Sequence, residues 1–246
     1  MMKILINIAL AFVLFATSVS AQEKDTLSAF IDKNPNAVEI EVIYEGTRIN
    51  LSADEEFLLI NLSAAHPALQ MRFLMQKLTL YVDPSGKKKR NYQISLPYAL
   101  DVKNEIEAVI AVEGTERGED ERPDIRPLIS ALNKRGADFL YNGKVLHLGF
   151  QHFHVEVDQK NDLLNFYILI PKAELMKDRK LSNNWAIGIF SINDLANMPS
   201  PEQGEGGMMP PPMEGEDQQG IQELMQSDIR AWAKFSIDEV NNANLE

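Results

Sequence analysis

Phe57-Leu-Leu-Ile-Asn-Leu-Ser63, then His66-Pro-Ala-Leu-Gln-Met-Arg-Phe-Leu-Met-Gln76, then Leu78-Thr-Leu-Tyr-Val-Asp-Pro84 decide how this chain folds. Leu58, Ile60 and Leu62 alternate with Leu59, Asn61 and Ser63, which puts one set on each face of a strand. Leu59 makes the second face partly apolar, so this strand is expected to be covered on both sides for part of its length. Pro67 suits the first turn of a helix, where its missing N–H is not needed. Leu69, Phe73 and Leu74 follow at helical spacing, with Gln70, Arg72 and Gln76 between them. So short a helix does not persist alone and must dock on the sheet. Leu78, Leu80 and Val82 then point one way, and Thr79, Tyr81 and Asp83 the other. Asp83-Pro84-Ser85-Gly86 is a turn signal. Lys87, Lys88, Lys89 and Arg90 follow it. They read as a solvated hairpin edge that blocks edge-to-edge pairing, with an anionic-ligand site as the competing reading. Tyr92-Gln-Ile-Ser-Leu-Pro97 pairs back as the next strand.

That order resembles a family of exported bacterial proteins without an assigned activity: Leu80-Tyr-Val-Asp-Pro84, Gly86-Lys-Lys-Lys89, the spaced Tyr92 and Ile94, then Leu96-Pro97. Members carry a Gly-Leu-Thr-hydrophobic-aromatic-hydrophobic-Asp strand, a Gly-Lys-Lys hairpin and a strand ending in Pro. They also have a Gly/Pro-rich insert and a late Trp-x-Lys strand, matched here by Gln203–Gly220 and Trp232-Ala-Lys234. Lys77 stands where the pattern has Gly, and Tyr81 where Trp is common. The family is similar in outline to β-sandwich modules of the family 9 carbohydrate-binding and DOMON-like kind. The resemblance implies an exported β-sandwich with a carbohydrate as a ligand class, and it brings no catalytic residue.

Met1–Ala21 reads as a secretory signal peptide. Lys3 gives a short positive region, Ile4–Ala16 is an apolar stretch too short for a typical membrane span, and Val19-Ser-Ala21 is a small-residue cleavage site. The mature chain is expected to start at Gln22, to carry no transmembrane helix, and to lie in the periplasm or associated with the envelope. The sequence has no cysteine, so an exported protein of this kind relies on its core rather than on disulfides. The formal net charge is −12 over 246 residues. That argues against nucleic-acid or anionic-membrane partners, which need broad cationic surface.

Several strands are legible elsewhere. Glu39–Tyr44 alternates and Glu45-Gly46 turns it onto Thr47–Leu51. Ile106–Val112, Phe139–Tyr141, Val145–Val157, Leu163–Pro171, Trp185–Ile192 and Asp228–Ile237 read likewise. Asn142-Gly143 is a strong hairpin signal. Asp124 is placed to cap a short helix over Arg126–Arg135, with Leu128, Ile129 and Leu132 inward and Gly136 as its stop. Pro171–Lys177 reads as a helical turn, and the polar stretch Glu23–Ala37 as a loosely held arm. Asn197–Gly220 is rich in Pro, Gly, Glu and Met and reads as a flexible loop. The expected fold is mainly β: an antiparallel β-sandwich with a few short helices, one domain over 22–246.

Three constellations bear on function. Trp185 and Trp232, with Tyr81, are expected to offer aromatic surface to a ligand, against the commoner fate of buried packing. His152, His154 and Glu156 share one face of a strand with Asp158 and are competent metal ligands, against an ordinary solvent face. Met208, Met209 and Met213 are soft sulfur donors in the 197–220 loop, or sticky residues for a partner. His66 reads as a helix cap. No nucleophile elbow, phosphate loop or dinucleotide fingerprint occurs, and no acid–base pair can be assigned. The sequence therefore points to an exported, non-catalytic binding or interaction β-sandwich with no cofactor, whose partner is a carbohydrate or an envelope protein. The alternatives are a metal-binding protein or metal-dependent hydrolase centred on His152 and His154, and a structural envelope component that docks through the Pro/Met loop.

Overall fold

Period-two alternation in the sequence becomes eleven described strands, β1 Val38–Tyr44, β2 Thr47–Ala53, β3 Phe57–Ala64, β4 Leu78–Asp83, β5 Tyr92–Ser95, β6 Asp138–Tyr141, β7 Lys144–Val145, β8 His154–Lys160, β9 Leu163–Pro171, β10 Asn184–Ser191 and β11 Ile229–Ser236. The helices are α1 over 27–33, α2 Pro67–Met75, α3 Arg126–Arg135, α4 Lys172–Met176 and α5 Ile237–Asn242. This computed structural model describes residues 27–44, 46–96, 125–146, 153–176, 182–191 and 228–243. The expected signal peptide, the strand at 106–112, the Asp124 cap, His147, His152 and the 197–220 loop with its methionines lie outside the described residues.

The strands form two antiparallel sheets, and the chain is a β-sandwich whose sheets do not close into a barrel. The first sheet runs β1-β2-β3-β9-β8 and the second β11-β10-β4-β5-β6-β7. Alternation assigns the faces. Ile60, Leu62, Phe166, Ile168 and Val157 of the first sheet meet Leu80, Val82, Ile94, Ile187 and Phe139 of the second in one continuous core. Each such side chain, taken wholly out of water, contributes about 1.5–3 kcal/mol. β10 and β11 pair over their full lengths, Asn184 to Ser236 through Ser191 to Ile229, so the strand after the Pro/Met stretch belongs to the sheet.

α2 carries the chain from the first sheet to the second. His66 caps it, its Nδ1 accepting from the Ala68 N–H at 3.2 Å. The polar residues between its apolar positions are buried rather than solvated. Arg72 donates from Nη2 to the Ser191 carbonyl at 2.9 Å, and Gln70 donates from Nε2 to the carbonyls of Ala64 (3.0 Å) and Asp162 (2.6 Å). These bonds satisfy strand ends that the helix would otherwise seal from water.

Two expectations are corrected. Glu23–Ala37 is not a loose arm throughout: 27–33 is helical, and Leu27 and Phe30 are buried with Leu59 and Leu169 on the outer face of the first sheet. This is the second-side cover that Leu59 called for. Val145–Val157 is not one strand. β7 ends at Val145 in the second sheet and β8 begins at His154 in the first, so the chain changes sheets between them. Two-residue turns with positive φ close the flanking hairpins, at Asn142 and Gly143 (50° and 76°) and at Asn161 and Asp162 (53° and 62°), as their right-handed twist favours.

Candidate functional site

The outer face of the second sheet carries an aromatic cluster built by strand register. Tyr81 on β4 and Trp232 on β11 both stand opposite Gly188, on the strand between them. Glycine here is a spatial requirement. A Cβ at Gly188 would lie 2.9 Å from the Cδ2 and Cε2 of Trp232 and 3.0 Å from its Cε3. The indole therefore lies with its ring over bare backbone, where a side chain would lift it away. The Tyr81 ring is nearly parallel to the indole, 23° apart with centroids 6.1 Å apart. Phe190, one row further along β10, meets both edge-on, at 5.0 Å from Tyr81 and 5.8 Å from Trp232. Phe190 is almost wholly covered, while Tyr81 and Trp232 are half-buried.

The basic turn after β4 folds back against this face. Asp83 is buried and organises it. Its Oδ1 accepts from the Ser85 N–H (3.0 Å) and hydroxyl (2.7 Å), and its Oδ2 accepts from the Lys89 N–H (2.8 Å). Burial alone would raise the carboxyl's pKa. The bonds from the Lys89 N–H, the Ser85 hydroxyl and N–H, and the Lys87 N–H outweigh it and hold the group below the usual carboxylate range. Gly86 is needed for contact and conformation alike, with φ 65° and an added Cβ only 2.6 Å from the Asn184 carbonyl oxygen. The turn so fixed sends Arg90 over the rings. Its guanidinium carbon is 4.5 Å from the Phe190 centroid and 5.6 Å from that of Tyr81, within cation–π range. Lys87, Lys88 and Lys89 stay exposed, as does Lys234, two residues beyond Trp232.

The expected site residues separate. Tyr81 and Trp232 come together, as described. Trp185 does not join them. It faces the core with no exposed surface and donates its Nε1–H to the Ser182 carbonyl at 2.9 Å, so it offers no face to a ligand. Alternation explains the split, because Trp185 and Gly188 lie on opposite faces of β10. Phe190, Gly188 and Arg90 were not expected there. A lone glycine inside an apolar strand was the available signal.

His154 and Glu156 lie on the outer face of the first sheet, with His154 Nε2 3.6 Å from Glu156 Oε2. That nitrogen is buried and makes no hydrogen bond. Among the described residues, no group of three or more His, Cys, Asp and Glu is placed to hold a metal ion. Tyr167, opposite Glu156, has its phenol pKa raised by burial first, then by Asp158 and Glu156. α3 runs beside the β8 edge, and Asn133 occupies it like a strand partner. Its Nδ2 donates to the Val157 carbonyl at 2.8 Å and its Oδ1 accepts from the Val157 N–H at 2.7 Å. This blocks pairing at that point of the edge.

The fold and the face define the class: an antiparallel β-sandwich with an aromatic patch and a basic turn on one outer sheet surface. No protein family, curated protein or solved structure matches the chain.

Proposed function

We propose that this chain is an exported, non-catalytic binding module that holds a carbohydrate on the outer face of its second sheet. The observation that carries the reading is the pair of nearly parallel rings, Trp232 laid over Gly188 with Tyr81 beside it. Rings half-buried and held in one orientation give up little conformational freedom on binding. They also combine a large apolar area with a polar edge. A pyranose has an apolar C–H face that suits such a surface and hydroxyls that stay wet. Isothermal titration against a panel of soluble polysaccharides tests this. Trp232→Ala and Tyr81→Ala should each weaken binding about tenfold or more, as truncation of aromatic anchors does. Binding that ignores both substitutions would remove the platform from the function.

A second reading, a metal bound at the face that carries His154 and Glu156, is favoured by one observation, the buried unpartnered Nε2 of His154 beside a carboxylate. Elemental analysis of the purified protein decides it. Stoichiometric metal that disappears when His152 and His154 are both alanine would move the function to the first sheet.

A further inference from the structure

We infer that the saccharide is acidic: a polysaccharide bearing uronate carboxylates, its rings on Tyr81 and Trp232 and its charges on Arg90, Lys89 and Lys234. The inference rests on the platform reading and adds the ligand's charge.

The chain as a whole carries −12, yet this face is flanked by cations. Lys234 stands opposite Ala186, which stands opposite Asp83 on β4, so Lys234, Ala186 and Asp83 form one row beside the ring row. The Lys89 backbone is bonded to Asp83 and so sits over the far end of that row. Lys87, Lys88, Lys89 and Lys234 are exposed, and among the described residues no carboxylate forms an ion pair with any of them. On the other side of Trp232, Arg230 is held by Asp228 at 2.7 Å and is thereby neutralised. The positive charge therefore gathers toward the basic turn. Acids farther than about 8–10 Å away are screened at physiological salt, so the local rim governs what docks.

Arg90 sets the kind of anion. Its guanidinium carbon lies over the Phe190 and Tyr81 rings, 4.5 and 5.6 Å from their centroids, which keeps the charge at the aromatic face. Arg90 is exposed as well, so its N–H fork is open to a ligand, and that fork matches a planar carboxylate in bidentate fashion. A uronate ring supplies that carboxylate directly beside the apolar ring face that the platform takes. A solvated hairpin edge, the ordinary role of a lysine run, would not need Asp83 buried beneath it to fold it back onto an aromatic face.

The test is titration of the mature protein with polygalacturonate and with its fully methyl-esterified form, which keeps the sugar and removes the charge. Polygalacturonate should bind about tenfold or more tightly, a difference that shrinks as salt rises from about 20 to about 200 mM. Replacing Lys87, Lys88, Lys89 and Lys234 by Ser together with Arg90→Gln should remove that difference, while Trp232→Ala should weaken both polymers. Equal binding of the two forms, still dependent on Trp232, would overturn the acidic ligand and leave the platform standing. Polyglutamate binding as tightly as polygalacturonate would overturn it too, by showing charge without sugar. Dextran sulfate binding more tightly at matched charge would overturn the carboxylate. Failure of both galacturonate polymers to bind, or binding that ignores Trp232, would bring down the platform reading itself.

Discussion

The two sheets have the same architecture and opposite outer faces. On the first sheet, apolar residues outside the core are covered: α1 lays Leu27 and Phe30 on Leu59 and Leu169, and Phe57 meets Phe30 edge-on at 6.4 Å. Beyond that cover the face turns acidic, with Glu156 and Asp158 beside Tyr167. On the second sheet, Tyr81 and Trp232 stay half-buried and the adjoining turn is basic. A large ring on an outer sheet face is a cost in water unless something covers it. The first sheet covers its apolar residues with its own chain. The second holds Tyr81 and Trp232 in a fixed orientation and leaves them partly exposed, which is what a surface kept for a ligand requires.

The two outer faces should differ most in what they contribute to stability. Phe30→Ala removes a buried ring from beneath α1 and should cost about 3–5 kcal/mol in urea unfolding, whereas Trp232→Ala should cost about 1 kcal/mol. Equal costs would mean that Trp232 is core rather than platform. Next comes the turn. Asp83→Asn replaces a carboxylate that accepts several hydrogen bonds and should cost about 1.5–3 kcal/mol. The folded pKa of Asp83 is depressed, so its contribution is complete above the unfolded value of about 3.9 and is lost as pH falls through the lower folded value. The stability gap between wild type and Asp83→Asn should therefore narrow in melts taken from pH 5 down to pH 2. A constant gap would mean that the carboxylate's charge is not what holds the turn. The smallest structural change has the sharpest reading. Gly188→Ala should cost only about 1 kcal/mol, because the indole is the movable end of its side chain. It should nonetheless displace Trp232 and weaken saccharide binding about as much as Trp232→Ala. Full affinity in that variant would separate binding from the glycine seat.

Much of this architecture is legible in the sequence because it follows from period. Leu58, Ile60 and Leu62 sit inward as their alternation requires, Asn142-Gly143 makes its tight turn, and Gly136 ends α3 with φ 69°. Less legible was anything that depends on which strands become neighbours. The Tyr81–Gly188–Trp232 row joins residues from three distant segments, and no local pattern shows that they share a row. Trp185 and Trp232 look alike in sequence, and only the phase of each strand relative to its core face separates them. Two local signals were present and bypassed. Leu27, Phe30 and Ile31 have helical spacing inside a polar stretch. Ser236-Ile-Asp-Glu239 is a capping box that starts α5, with the Ser236 Oγ accepting from the Glu239 N–H at 3.4 Å. Arg72 and Gln70 stand between the apolar positions of α2, and helical period says nothing about strand ends waiting for donors.

On the proposed reading, ligand meets the protein at Trp232. The chain has two tryptophans, and the structure gives their indole N–H groups different surroundings. Trp185 donates to the Ser182 carbonyl inside the core, and Trp232 lies on the outer face. The two should give separate indole signals in a ¹⁵N–¹H correlation spectrum of the intact protein, assigned through Trp232→Phe. On titration with polygalacturonate, the Trp232 signal should move or broaden in a saturable way while the Trp185 signal stays in place. Saturable binding with the Trp232 signal unmoved would contradict the account, because the ligand would then be held somewhere else on the sandwich.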